Sequence, residues 1–205
     1  IFNELKADEL VLLDIDATSE GRRISSEVIK KVGEEANMPF SVGGGISSIE
    51  DIKDVIACGA EKVILNSHAI TNPLFIQEAV QYFGSSTIVL CIDVKKKFLG
   101  KSNYVFIRNG KEATKYKPVE LARIAEEMGA GEIIIQSISN DGTMSGYDID
   151  LIKSISDAVT IPTVALGGAG NLTDFKNAYQ HGNVSGIAAG SFFVYQGDNK
   201  GVLIN

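Results

Sequence analysis

The residue types that build covalent or metal-held frameworks are scarce in this sequence. There are two cysteines, Cys58 and Cys91, without the spacing of a metal motif. A disulfide scaffold is therefore not expected, and two buried thiols in a reducing compartment is the reading. The two histidines, His68 and His181, stand alone, so no metal site is expected. Basic residues are in deficit, with 19 Lys and Arg against 26 Asp and Glu and a net charge of −7. That balance excludes a broad surface for nucleic acid, which needs a cationic excess to neutralise phosphates. Neither a signal-peptide pattern nor an apolar run long enough to span a bilayer is visible, and a cytoplasmic location away from membranes is the expectation.

What is present is a repeating pattern. Short apolar runs occur at Glu9–Ile15, Met38–Val42, Lys62–Asn66, Thr87–Ile92, Glu132–Ser137, Ile161–Leu166 and Ser185–Ala189. They are rich in Val and Ile and hardly alternate in polarity, as strands buried on both faces do. Helical spacing fills most of the gaps. Ile49-Ile52-Val55-Ile56 is one such stripe, and Leu121-Ala122-Ile124-Ala125-Met128, with Pro118 in its first turn, is another. Successive βα units imply a parallel sheet with right-handed crossovers. The polar insert Lys95–Thr114 breaks the pattern. It reads as a hairpin around Arg108-Asn109-Gly110, with Lys95-Lys96-Lys97 as a solvated loop tip.

The chain also repeats at a shift of 123 residues. Glu9 falls on Glu132, Pro39 on Pro162, Gly44-Gly45 on Gly167-Gly168, Asp51 on Asp174, Gly59 on Gly182 and Ile64 on Ile187. Two half-barrels of four βα units each are the natural reading, giving a (β/α)8 TIM barrel as one domain over 1–205. The same shift puts the counterpart of the strand ending at Asp93 ahead of Ile1. The expectation is that the seven runs are strands two to eight, with the first strand and the final helix outside the sequence.

In such a barrel the reacting groups sit at the C-terminal strand ends. Those ends carry Gly43-Gly44-Gly45, Asn66-Ser67, Asp93, Ser137 through Thr143, Gly167–Gly170 and Gly190-Ser191. Glycines before a helix let backbone N–H groups approach an oxyanion, and the helix N-terminus adds positive potential. Two such turns related by the repeat suggest two phosphate sites and a bisphosphorylated substrate. Asp93 closes an apolar strand and could serve as a general acid or base, or equally as a helix cap or a partner of Lys95. Asp141 could sit in an Asx turn, and Asp14 could pair with Arg22 or Arg23.

The segments VGGGI, EKVILNS, CIDVK, GAGEIIIQSISNDGTMSGYDIDLI and VALGGAG, in this order and spacing, resemble the cyclase subunit family of imidazole glycerol phosphate synthase, HisF. The resemblance covers essentially the whole chain, and Ser137 through Asp148 is its most specific part. It implies a lyase and cyclase of histidine biosynthesis that needs no cofactor. That enzyme uses ammonia from a partner glutaminase of the HisH type to convert a phosphoribulosyl-formimino-carboxamide ribotide into imidazole glycerol phosphate and an aminoimidazole carboxamide ribotide. Asp93 matches one of the family's two acid–base aspartates, and the other belongs to the segment ahead of Ile1. The resemblance puts one phosphate at Gly45, Asn66 and Ser67, and the other at Asp141, Gly142, Gly168 and Gly190, with Ser191 beside it.

Glu9, Lys62 and Glu132 open strands two, four and six, whose inward side chains share layers in a barrel. They read as an ionic ring at the face opposite the chemistry, where ordinary edge salt bridges are the alternative. The resemblance implies a gate for ammonia there, with the glutaminase docked on that face. Two other functions fit the same motifs. One is a sugar-phosphate isomerase of the related HisA type. The other is a HisF-like subunit that passes ammonia to a surface-sugar amidotransferase.

Overall fold

The computed structural model describes residues 2–96, 102–196 and 201–202. From the N-terminus, β1 (Leu10–Leu13) leads through α1 (Ser26–Glu35) to β2 (Phe40–Gly43) and α2 (Ile49–Ala57). β3 (Lys62–Leu65), α3 (Ser67–Thr71), α4 (Leu74–Phe83) and β4 (Ile88–Lys96) follow. The insert forms β5 (Asn103–Ile107) and β6 (Glu112–Ala113), and α5 (Pro118–Glu127) returns the chain to β7 (Glu132–Ser137). α6 (Ile149–Ser156), β8 (Thr163–Leu166), α7 (Leu172–Gly182), β9 (Gly186–Ala188) and α8 (Ser191–Val194) complete the units. The sheet runs β1-β2-β3-β4-β7-β8-β9 with every pairing on that path parallel. This is the winding of consecutive strands of a (β/α)8 barrel, and the expected runs supply its strands.

The internal repeat has a structural counterpart. At the shift of 123 residues β2 lands on β8, and α2 and α7 start at equivalent positions. Both helices open with a capping box. Asp51 Oδ2 accepts from the backbone N–H of Ser47 and Ser48, and Asp174 Oδ2 from those of Gly170 and Asn171. In return Ser48 Oγ accepts from Asp51 N–H, and Asn171 Oδ1 from Asp174 N–H.

The insert corrects one expectation. Lys95 and Lys96 are not a loop tip but the last residues of β4, and Lys97 lies outside the described residues. β5 gives β4 an antiparallel partner (Asp93 opposite Phe106, Lys95 opposite Tyr104), so the strand runs on past the barrel mouth. The hairpin turn itself is where expected. Arg108, Asn109 and Gly110 have φ of +54°, +58° and +70°.

Apolar side chains divide into two groups. The larger packs strands against helices and includes the fully buried Ile52, Leu65, Leu90, Leu121, Ile133 and Ile135. The smaller gathers Ile64, Val89, Cys91 and Ile134 with Val11, Leu13, Val164 and Leu166. Alternation explains the split, since neighbouring residues of a strand point to opposite faces. Odd and even positions of β4 and β7 therefore fill the helix-facing layer and the barrel interior separately. No helix among the described residues is long and apolar enough to cross a membrane.

Candidate active site

The strand ends enclose a cavity of about 580 Å³, open at the barrel mouth. Its wall includes Gly43–Gly45, Asn66, Ser67, Asp93, Gln136 and Asp141. Five of the sequence-expected site residues, Gly45, Asn66, Ser67, Asp93 and Asp141, thus share one space. Asp141 also lines a shallow niche of about 10 Å³ with Gly142, Gly168, Gly190 and Ser191. That is room for about one water, so an oxyanion there would rest on the niche rather than inside it.

Asp93 is partly buried at the end of the interior face of β4. Burial pushes its carboxyl up to about 6; the Cys91 thiol and Asn66 pull it down, and the nearby Asp141 charge raises it. Cys91 Sγ lies 3.5 Å from Asp93 Oδ1 and 3.8 Å from Gln136 Oε1. Gln136 Nε2 donates to Asp141 Oδ2 at 3.3 Å. An aspartate with such a proton affinity can exchange a proton near neutral pH, as acid–base work requires. The expected alternative partner is elsewhere, with Lys95 Nζ over the Phe106 ring at 5.8 Å.

The glycine turns have a packing reason of their own. At Gly45 (φ +68°) a Cβ would lie 1.9 Å from Arg22 O, and at Gly168 (φ +112°) 2.2 Å from Gly146 O. In each half the loop of the preceding unit lies directly on the turn. Asp51 and Asp174 occupy the N–H groups just ahead of α2 and α7, at Ser47 and Ser48 and at Gly170 and Asn171. Asn66 and Ser67 are also engaged. Asn66 Nδ2 donates to Cys91 O at 3.0 Å, and Ser67 Oγ donates to Asn66 Oδ1 at 2.9 Å.

Sequence reasoning did not find Gln136, Cys91 or Arg108 at the mouth. Period-two alternation could have found the first two, since Cys91 shares a face with Asp93, and Gln136 with Glu132. Asp14 settles on Arg22, whose guanidinium holds the Asp14 carboxyl below its ordinary value.

At the opposite face Glu9, Lys62 and Glu132 do come together. Lys62 Nζ lies 2.8 Å from Glu9 Oε2 and 2.9 Å from Glu132 Oε2, and Ser41 Oγ donates to Glu9 Oε1. Burial pulls the Lys62 ammonium down, but its hydrogen bonds with Glu9 and Glu132 outweigh it and hold it above the ordinary value. The ring and the mouth lie on the same faces of the strands. On β7 the inward series is Glu132, Ile134, Gln136; on β4 it is Val89, Cys91, Asp93. From Glu132 to Gln136 is about 13 Å of strand, at roughly 3.3 Å per residue.

A family model described as histidine biosynthesis protein matches residues 1–200. The imidazole glycerol phosphate synthase subunit HisF of Alkaliphilus metalliredigens is 44% identical over 95% of this chain and 77% of its own length. The subunit of the same name from Petrotoga mobilis is 42% identical over 90% of this chain and 73% of its own length. The chain belongs to the histidine biosynthesis protein family, among the imidazole glycerol phosphate synthase subunits named HisF.

Proposed function

We propose that the protein is the cyclase and lyase subunit of an imidazole glycerol phosphate synthase. It uses ammonia to cleave and cyclise a bisphosphorylated formimino-carboxamide ribotide. Asp93 moves the proton; Gly45, Asn66 and Ser67 flank one phosphate, and Asp141, Gly142, Gly168, Gly190 and Ser191 the other. The observation that carries this reading is the inward column from the Lys62 ring, through Val89, Cys91 and Ile134, to Asp93 and Gln136. Ammonia must travel neutral, since ammonium is no nucleophile, and an apolar column between an ionic ring and a carboxylate suits that need. A HisA-type isomerase has no use for it. A glutaminase subunit docked over Glu9, Lys62 and Glu132 would deliver ammonia at the start of the column.

The test is conversion of the ribotide by the protein with ammonium salt and no glutaminase. Imidazole glycerol phosphate should form, and Asp93→Asn should lower kcat by about 10²–10⁴-fold with KM near normal. Ammonia-dependent turnover that survives Asp93→Asn unchanged removes Asp93 from the chemistry. No turnover at all, with ammonia still reaching a separate amidotransferase, turns the barrel into a conduit.

A further inference from the structure

Among the described residues, the mouth is poor in unneutralised positive charge. Arg22 is held by Asp14 and, at 2.6 Å, by Glu20. Arg23 lies 3.2 Å from Asp54 and 3.6 Å from Asp51. The wall also carries Asp93 and Asp141. A phosphate at the Gly43–Gly45 turn therefore meets more carboxylate than free cation unless another base faces it. Of the side chains expected to donate there, Ser67 already spends its proton on Asn66 Oδ1, and Asn66 spends one of its two amide protons on Cys91 O.

The hairpin tip supplies a base. Arg108 N–H donates to Ser67 Oγ at 3.0 Å, which fixes the tip against the mouth. Arg108 and Asn109 both line the cavity, and both hold left-handed backbone (φ +54° and +58°), which residues with side chains adopt at a cost. Lys111 Nζ reaches Ser19 Oγ at 3.4 Å, so tip and β1 loop meet on the same side. Arg108 pairs through Nε with Glu112, at 3.3 Å, and both side chains are exposed. A guanidinium has five N–H donors in a fork that matches phosphate oxygens, so this pairing leaves donors for a ligand.

We propose that Arg108 is a specificity-determining residue. Its guanidinium takes the substrate phosphate seated at the Gly43–Gly45 turn, exchanging the Glu112 carboxylate for phosphate oxygens. The inference rests on the phosphorylated-substrate reading given above. It adds a cationic contact in the insert, on a strand pair that is not part of the barrel repeat.

The experiment titrates the full protein with inorganic phosphate by calorimetry and measures KM for the ribotide with ammonium salt. Arg108→Met should weaken one phosphate equivalent and raise KM by about 10–100-fold, the loss of one charge-assisted contact. Because that contact lies away from the reacting atoms, kcat should stay within about threefold. Arg108→Lys should recover part of the loss. Glu112→Gln should tighten phosphate binding, since a competing carboxylate is gone. A tip that only braces Ser67 through its backbone would leave all three variants alike. Phosphate affinity of Arg108→Met within about twofold of wild type would overturn the assignment, as would Glu112→Gln weakening it equally. If wild-type protein takes up no phosphate and phosphate does not compete with the ribotide, the phosphorylated-substrate reading falls, and Arg108's role with it.

Discussion

Replacing Asp93 with asparagine should stabilise the protein while disabling it, and the gain should depend on pH. Folding carries the Asp93 carboxyl from an ordinary 3.8 to about 6, chiefly through burial, so the folded state binds that proton more tightly than the unfolded chain does. Stability then falls as pH rises from about 4 to about 6 and is level outside that window. At about 1.4 kcal/mol per pH unit, the carboxylate costs up to roughly 3 kcal/mol at neutral pH. Asp93→Asn has no such titration. Urea unfolding of both proteins at a series of pH values reads the difference, because groups that do not interact with Asp93 titrate alike in the two and cancel. Relative to wild type, the variant should gain up to roughly 3 kcal/mol between about pH 4 and about pH 7. A difference constant to within about 0.5 kcal/mol over that range would show that Asp93 is not held in a desolvated site. The acid–base assignment would then lose its physical basis.

Other consequences separate packing from binding. Gly45→Ala, with a Cβ 1.9 Å from Arg22 O, should destabilise more than Gly142→Ala, which keeps a similar left-handed φ but has nothing within 4 Å. Thermal unfolding of the two variants should therefore rank them in that order. Asp51→Ala and Asp174→Ala remove equivalent capping boxes, so each should cost about 1–2 kcal/mol in urea unfolding, and by similar amounts. Lys62 is held above its ordinary 10.5, so its pairing stabilises the fold below that pH and is lost as pH rises through the folded value. The stability gap between wild type and Lys62→Met should thus be constant through neutral pH and shrink only in strong alkali.

The barrel was legible because parallel strands buried on both faces write themselves as Val- and Ile-rich runs, and each such run became a strand. The repeat added register, since a shift that aligns Gly44-Gly45 with Gly167-Gly168 also aligns β2 with β8. The ionic ring was legible from topology, because Glu9, Lys62 and Glu132 open strands that face one interior. Contacts made by the insert were not legible. Nothing in the spacing of Arg108 or Lys95 states that β5 would pair with β4, or that a backbone N–H would reach Ser67, 41 residues away. The commitment of the N–H groups just ahead of α2 and α7 was hidden for a different reason. Asp51 and Asp174 were visible as repeat partners, but the same carboxylate at the third helical position can cap the helix or leave its N–H groups open to a ligand.

The most direct test of the column from ring to mouth compares two ammonia sources in one variant. Ammonium salt can enter from the mouth, whereas glutamine-derived ammonia arrives from a partner at the Lys62 face. With the glutaminase bound, Lys62→Ala should change ammonium-driven turnover little and glutamine-driven turnover strongly, so the ratio of the two rates should move by about tenfold or more. An unchanged ratio in an intact complex would make Glu9, Lys62 and Glu132 a structural ion cluster and contradict the passage of ammonia through the barrel.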